Sequence, residues 1–149
     1  MPYRASPDPE TRRRGHSCGD RPGGEVHSKG NGDRMAEVRV VRREEQPFGP
    51  VEGDGARGLE LARLYRHPDG AATFQLARVA PGGISKRHAH EWDQANWIAH
   101  GTAEVEVEGE VFSLEAGDSI FIPGGRAHAF ANPGSEPLLL VAVLGPGAR

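Results

Sequence analysis

The chain has 149 residues, enough for one domain built around one hydrophobic core. Its longest apolar run, Leu138–Leu144, has strand length and falls far short of the roughly 18 residues of a membrane span, and its single cysteine, Cys18, excludes an internal disulfide. Residues 1–34 hold seven Lys/Arg against five Asp/Glu and the remainder eleven against sixteen, so the acidic body offers no basic face to nucleic acid.

Residues 1–34 contain almost no periodic apolar positions. They cannot bury enough surface to offset the entropy of ordering and are expected to be a disordered tail, or to precede a start at Met35. They lack the apolar stretch of a signal peptide, and the lone cysteine suits a reducing compartment, so a cytoplasmic protein is expected. His16, Cys18 and His27 lie in this segment and could pair on a metal, but in a disordered tail chance proximity is the better account.

Residues 35–149 are read as one β-domain. "AEVRVVRRE" (Ala36–Glu44) predicts a first strand, followed by a Gly/Pro-rich connection to Gly58. Leu59–Arg66 alternates, "HPDG" (His67–Gly70) supplies a tight turn, and Ala71–Ala80 returns as the second arm of a hairpin. After Pro81–Gly83 comes "HAHEWDQ", continued by "ANWIAHG". The clearest local signal is "TAEVEVEGEVFSLEAGD", with Val105 and Val107 on one face, Glu104, Glu106 and Glu108 on the other, and a turn at Gly109. "SIFIPGG", "RAHAFAN" and "LLLVAVL" complete eight to ten short strands, which predicts an all-β antiparallel sandwich or barrel.

His88 and His90 stand two apart, so on a strand both imidazoles face one cavity. Gln94 keeps even spacing from them, provided Glu91-Trp92-Asp93 does not bulge. His128 comes from a separate strand beyond the turn at 123–125. Three imidazoles and one amide oxygen could converge on a metal ion with open positions for water or substrate. His100 shares the parity of Gln94 and is either a further ligand or proton shuttle or, more simply, a rim histidine. Asn96 has the same parity and either lines the cavity or makes a structural hydrogen bond. Trp92 is a substrate lid or a packed loop anchor, and Trp97, at odd spacing, belongs to core or dimer interface. Glu91 and Asp93 point away by parity, and Asn132 fixes a turn. One of Gln75 and Arg78 should face the cavity, and Phe130, near His128, is taken as a substrate-binding position.

Two spaced motifs carry a resemblance. Gly82, five residues, His88, one residue, His90, three residues, Gln94, six residues and Gly101 form the first. Gly117, five residues, Pro123, one residue, Gly125, two residues, His128, three residues and Asn132 form the second. Together they resemble the cupin family across about Phe74–Val143, departing from it only at Gln94, where the family usually has Glu. The resemblance implies a jelly-roll barrel (a double-stranded β-helix), one divalent metal ion (Zn, Fe, Ni, Mn or Co), a small-molecule substrate and a homodimer. With a neutral ligand shell the ion keeps its full +2, which suits polarising a carbonyl. The Gln position resembles that of small cupins that rearrange or cyclise carbonyl compounds, so a non-oxidative isomerase, lyase or cyclase acting on a sugar acid or polyketide is expected. The alternatives are an Fe or Ni dioxygenase and a non-catalytic ligand-binding or sensor cupin.

Overall fold

A computed structural model describes residues 38–148. The N-terminal tail read from the sequence, with His16, Cys18 and His27, lies outside the described residues. The chain folds where apolar alternation and turn chemistry agree. Thr102–Val107 (β5) and Glu110–Glu115 (β6) pair in full register from Thr102↔Glu115 to Val107↔Glu110. The two residues between them, Glu108 and Gly109, both have positive φ (51° and 91°). That is the two-residue turn whose twist matches a hairpin, and glycine takes the second position at no steric cost.

Seven further strands complete the fold. They are β1 (Gly49–Gly53), β2 (Ala56–Arg66), β3 (Thr73–Ile84), β4 (Gln94–His100), β7 (Ser119–Ile122), β8 (His128–Ala131) and β9 (Leu138–Leu144). All pairings are antiparallel. The long β3 belongs to both walls of the molecule. Thr73–Val79 of β3 pairs with β9, which leads on to β4 and β7, while β2 and then β1 lie on its other side. At its far end Ile84 pairs with Ala131 of β8, which leads to β5 and β6. The result is a nearly closed all-β barrel. No helix among the described residues is long and apolar enough to cross a membrane.

Two expectations are corrected. Residues 38–42 of the proposed first strand are not in a strand, and Arg43–Glu45 form a 3-10 turn. Val38 and Val40 are 96% and 63% exposed, and among the described residues no strand pairs with them. The strand forms later, as β1, inside the stretch read as a connection. Pro50 is tolerated there because β1 pairs with β2 alone and stands at the sheet edge.

The barrel is filled by Ala77, Val79, Ile98, Ala103, Val105, Ile122, Phe130, Leu138 and Leu140. Each fully buried Ile, Val or Leu stabilises the fold by about 1.5–3 kcal/mol relative to exposure. Asn132 sits buried among them as a turn fixture. Its Nδ2 donates to the Val79 and Glu136 carbonyls at 2.9 and 2.8 Å, and its Oδ1 accepts from Gly134 N at 2.9 Å.

Candidate metal centre

The chain leaves β3 at Ile84 and does not re-enter the sheet until Gln94, so the two histidines lie in a connection and not in a strand. Their shared direction survives because the connection borrows a partner. His88 N donates to the His128 carbonyl at 3.0 Å, and His128 N donates back to His88 at 2.8 Å. Two residues on, the His90 carbonyl accepts from Gly125 N at 2.7 Å. This short extended stretch keeps the period of two, and the rings meet. Centroids lie 4.6 Å apart for His88 and His128, 5.0 Å for His90 and His128, and 5.6 Å for His88 and His90. One ring nitrogen from each lies within 4.8 Å of the others.

Backbone carbonyls decide which nitrogen that is. His88 Nδ1 meets the Lys86 carbonyl at 2.8 Å, His90 Nδ1 the Trp92 carbonyl at 2.8 Å, and His128 Nδ1 the Arg126 carbonyl at 2.9 Å. A carbonyl only accepts, so each Nδ1 carries the proton and each Nε2 is left with a lone pair. His128 Nε2 is buried without a hydrogen-bond partner. His90 Nε2 faces Gln94 Oε1 at 3.0 Å, placing two acceptors opposite each other. A cation between them resolves both features. Three oriented imidazoles with secured second nitrogens suit a divalent transition ion, and Gln94 Oε1 is placed to join them.

Burial is the largest influence on His128 and pushes its imidazole below the ordinary 6.5; the Nδ1 bond to Arg126 opposes this, and the neighbouring His88 and His90 rings reinforce it. The ring therefore stays neutral near pH 7, the state in which it can ligate.

Gln94 reaches the site differently from the sequence expectation. Glu91 and Trp92 bend the chain, so even spacing from His90 is not what aligns it; Gln94 arrives as the first residue of β4. The bend is held tightly. Asp93 accepts from Gly124 N at 2.9 Å through its carboxylate and from Gly145 N at 2.8 Å through its carbonyl. A Cβ on Gly124 would lie 2.1 Å from the Glu91 carbonyl oxygen, so only glycine permits this approach. Trp92 is half-buried, stacks on His90 with centroids 4.5 Å apart and planes 5° from parallel, and packs against Ala142, Leu144 and Ala148. Glu91 and Asp93 are exposed, outside the ring cluster.

A cavity of about 100 Å³ adjoins the histidines. Its walls are Leu59, Leu61, Gln75, Ala77, Val79, Ser85, His88, Gln94, Asn96, Phe130, Leu140 and Ala142. Gln75, and not Arg78, faces it; Arg78 lies on the opposite face, paired with Glu60 at 3.2 Å and stacked over Phe48. Asn96 lines the cavity, buried, and accepts from Gln94 Nε2 at 3.1 Å. Phe130 closes one side. His100 is among neither the cavity walls nor the histidine cluster. A register shift between Ile98 and His100 breaks the parity that aligned it with Gln94, and its exposed ring bonds the Pro137 carbonyl at 2.9 Å. Sequence reasoning missed Leu59 and Leu61, which lie far from the histidine motif, and Ser85, just before His88; none of them carries metal-binding chemistry. Larger grooves of about 390 and 400 Å³, beside Pro50 and beside Lys86, include none of the three histidines among their walls.

A nearly closed β-barrel with three histidines converging beside an internal cavity defines a cupin. The family model for the cupin domain matches residues 75–144, and this chain is a small cupin jelly roll. It is 37% identical over 119 residues to the mannose-1-phosphate guanylyltransferase ManC of Salmonella typhimurium, covering 73% of this chain and 25% of that protein. It is 31% identical over 100 residues to the polyketide synthase CurC of Streptomyces cyaneus, covering 64% of this chain and 65% of CurC. The chain thus spans about a quarter of the length of ManC and just under two thirds of CurC. A solved structure of a predicted oxalate decarboxylase from Thermotoga maritima superposes with a TM-score of 0.66 at 25% identity, covering 72% of this chain and 99% of that one.

Proposed function

We propose that the protein is a metal-dependent cupin enzyme performing non-oxidative chemistry (isomerisation, elimination or cyclisation) on a small carbonyl compound. One observation carries this reading: three imidazoles, each with Nδ1 tied to a backbone carbonyl, turn their free Nε2 atoms toward one point beside an apolar cavity. His88, His90 and His128, with Gln94 Oε1, would hold the ion. A divalent ion bound there supplies Lewis acidity to a substrate oxygen.

The chain's own residues do the rest. Leu59, Leu61, Phe130 and Leu140 exclude water and so strengthen the electrostatics inside. Asn96 and Gln75 supply polar groups for orientation. Among the described residues no Asp or Glu is in the cavity walls, which favours a carbonyl-polarising role over base-driven oxygenation. The apolar walls suit a polyketide-like compound better than a sugar acid, which brings many hydroxyl groups and a carboxylate. The name of CurC, a polyketide synthase, points the same way.

The test is metal analysis of the purified protein, followed by turnover assays on carbonyl substrates with oxygen uptake recorded alongside. Stoichiometric metal and turnover without oxygen consumption are expected. Oxygen uptake coupled to substrate loss would replace this reading with a dioxygenase, and absence of metal would remove it.

A further inference from the structure

We infer that Gln94 sets the hydrogen-bonding polarity of the cavity through Asn96, so that the site takes an uncharged compound by a carbonyl oxygen that accepts from Asn96 Nδ2. This rests on the metal reading above, because the cation is what fixes the orientation of the Gln94 amide.

The relay runs outward from His90. Its Nδ1 proton is committed to the Trp92 carbonyl, so its Nε2 is an acceptor. Gln94 turns Oε1 toward that nitrogen at 3.0 Å, an arrangement a shared cation makes favourable. Gln94 Nε2 is then left to donate, and it does so to Asn96 Oδ1 at 3.1 Å. A side-chain amide carries its acceptor on one arm and its donor on the other. With the Asn96 acceptor engaged by Gln94, Nδ2 is the free arm. Asn96 is only 3% exposed, and its Nδ2 is buried with no partner. A buried donor left unpaired is unfavourable, and a ligand oxygen entering the cavity relieves it.

The remaining walls restrict what carries that oxygen. Among the described residues no Lys, Arg, Asp or Glu lines the cavity, and Leu59, Leu61, Phe130 and Leu140 face it. A volume of about 100 Å³ is of the order that admits one small ring. A carbonyl accepts only, whereas a hydroxyl satisfies either a donor or an acceptor. Glutamine at position 94 therefore admits ketones. A carboxylate there has no N–H, so Asn96 would turn its Nδ2 toward it and present Oδ1 to the cavity, which penalises a ketone and tolerates an alcohol. The residue that departs from the family pattern is thereby a specificity determinant as well as a ligand.

Cyclohexanone and cyclohexanol are suitable probes, titrated by NMR into the zinc-loaded full-length protein, with zinc content measured for each variant. Asn96→Asp and Gln94→Glu should each weaken cyclohexanone relative to cyclohexanol by about tenfold, the scale of one unpaired buried polar group. In the unaltered protein, the Asn96 side-chain N–H resonances should shift when cyclohexanone is added, a readout that stands even if a variant fails to fold. Full zinc content with an unchanged ketone-to-alcohol ratio in both variants, or silent Asn96 resonances while cyclohexanone binds, would overturn the relay and leave the metal centre standing. A protein that takes no zinc or other divalent ion would overturn both.

Discussion

The two faces of the β3–β9–β4–β7 sheet invert the usual pattern in opposite ways. The inner face packs Ala77, Val79, Ile98 and Leu140 into the core yet also turns the amides of Gln75, Gln94 and Asn96 inward. Across the outer face a registered row runs Phe74, Val143, Ala95 and Phe121, with Phe74, Val143 and Phe121 exposed by 36, 46 and 61% and Trp97 nearby at 49%. Polar groups are buried on one side and large apolar groups are exposed on the other. Sequences depart from local consistency mainly where something other than folding is being selected. On the function proposed above, a metal ion and a ligand would answer the inner departures. The outer one calls for a covering surface, and a second copy of the chain is the partner we expect.

The largest effects should come from the inner face. Replacing His88, His90 or His128 by Ala should lower metal affinity by more than the roughly 10- to 100-fold typical of losing an outer-shell partner, read by metal content after dialysis. His100→Ala should leave metal content unchanged; if it strips the metal, the boundary drawn around the site is wrong. Next comes the core just beneath. Ile98→Ala should cost about 2–5 kcal/mol in denaturant unfolding. Phe121→Ser, on the outer face, should cost well under that in the monomer.

The outer face is tested by association. The unaltered protein should sediment as a homodimer at micromolar concentration, and Phe121→Asp or Val143→Asp should shift it to monomer with metal content intact. A monomeric unaltered protein would leave the apolar row without its expected partner. The smallest effect concerns pH. The folded value of His128 lies below its unfolded 6.5, so the unfolded chain takes up the proton first as pH falls. Metal-free protein should then be most stable above pH 6.5 and lose stability below it, by at most about 1.4 kcal/mol per pH unit for this one group. Stability that rises on acidification through that range would contradict the burial of His128.

What could be read in advance depended on whether the determinants were local. The β5–β6 hairpin was legible because Val105, Val107 and Gly109 each speak for themselves. The shared direction of His88 and His90 was legible from their spacing, and the arrival of His128 beside them from the resemblance of the two motifs to the cupin family. Val38 and Val40 alternate just as convincingly, but a strand is made by its neighbour, and among the described residues none pairs with 38–44. β1 was hidden by Gly49, Pro50 and Gly53, residues that read as turn until an edge position is known. The parity argument for His100 failed at a bulge of one residue, which no local composition announces. The choice of Gln75 over Arg78 followed only from knowing which face of β3 is inner. Leu59 and Leu61 meet the histidines only through the fold, and Ser85, close to His88 in sequence, has no metal-binding chemistry to mark it.

The stacking of Trp92 on His90 has an optical consequence. The chain has two tryptophans, and each lies at one of the two regions compared above. Trp92 shares a parallel contact with the His90 ring, so its emission should respond if a metal draws charge from that imidazole. Trp97 stands half-exposed on the outer face, where its emission should shift to the blue when a partner shields it from water. With Trp97→Phe the protein becomes its own metal indicator, and with Trp92→Phe its own gauge of self-association, neither needing an attached dye.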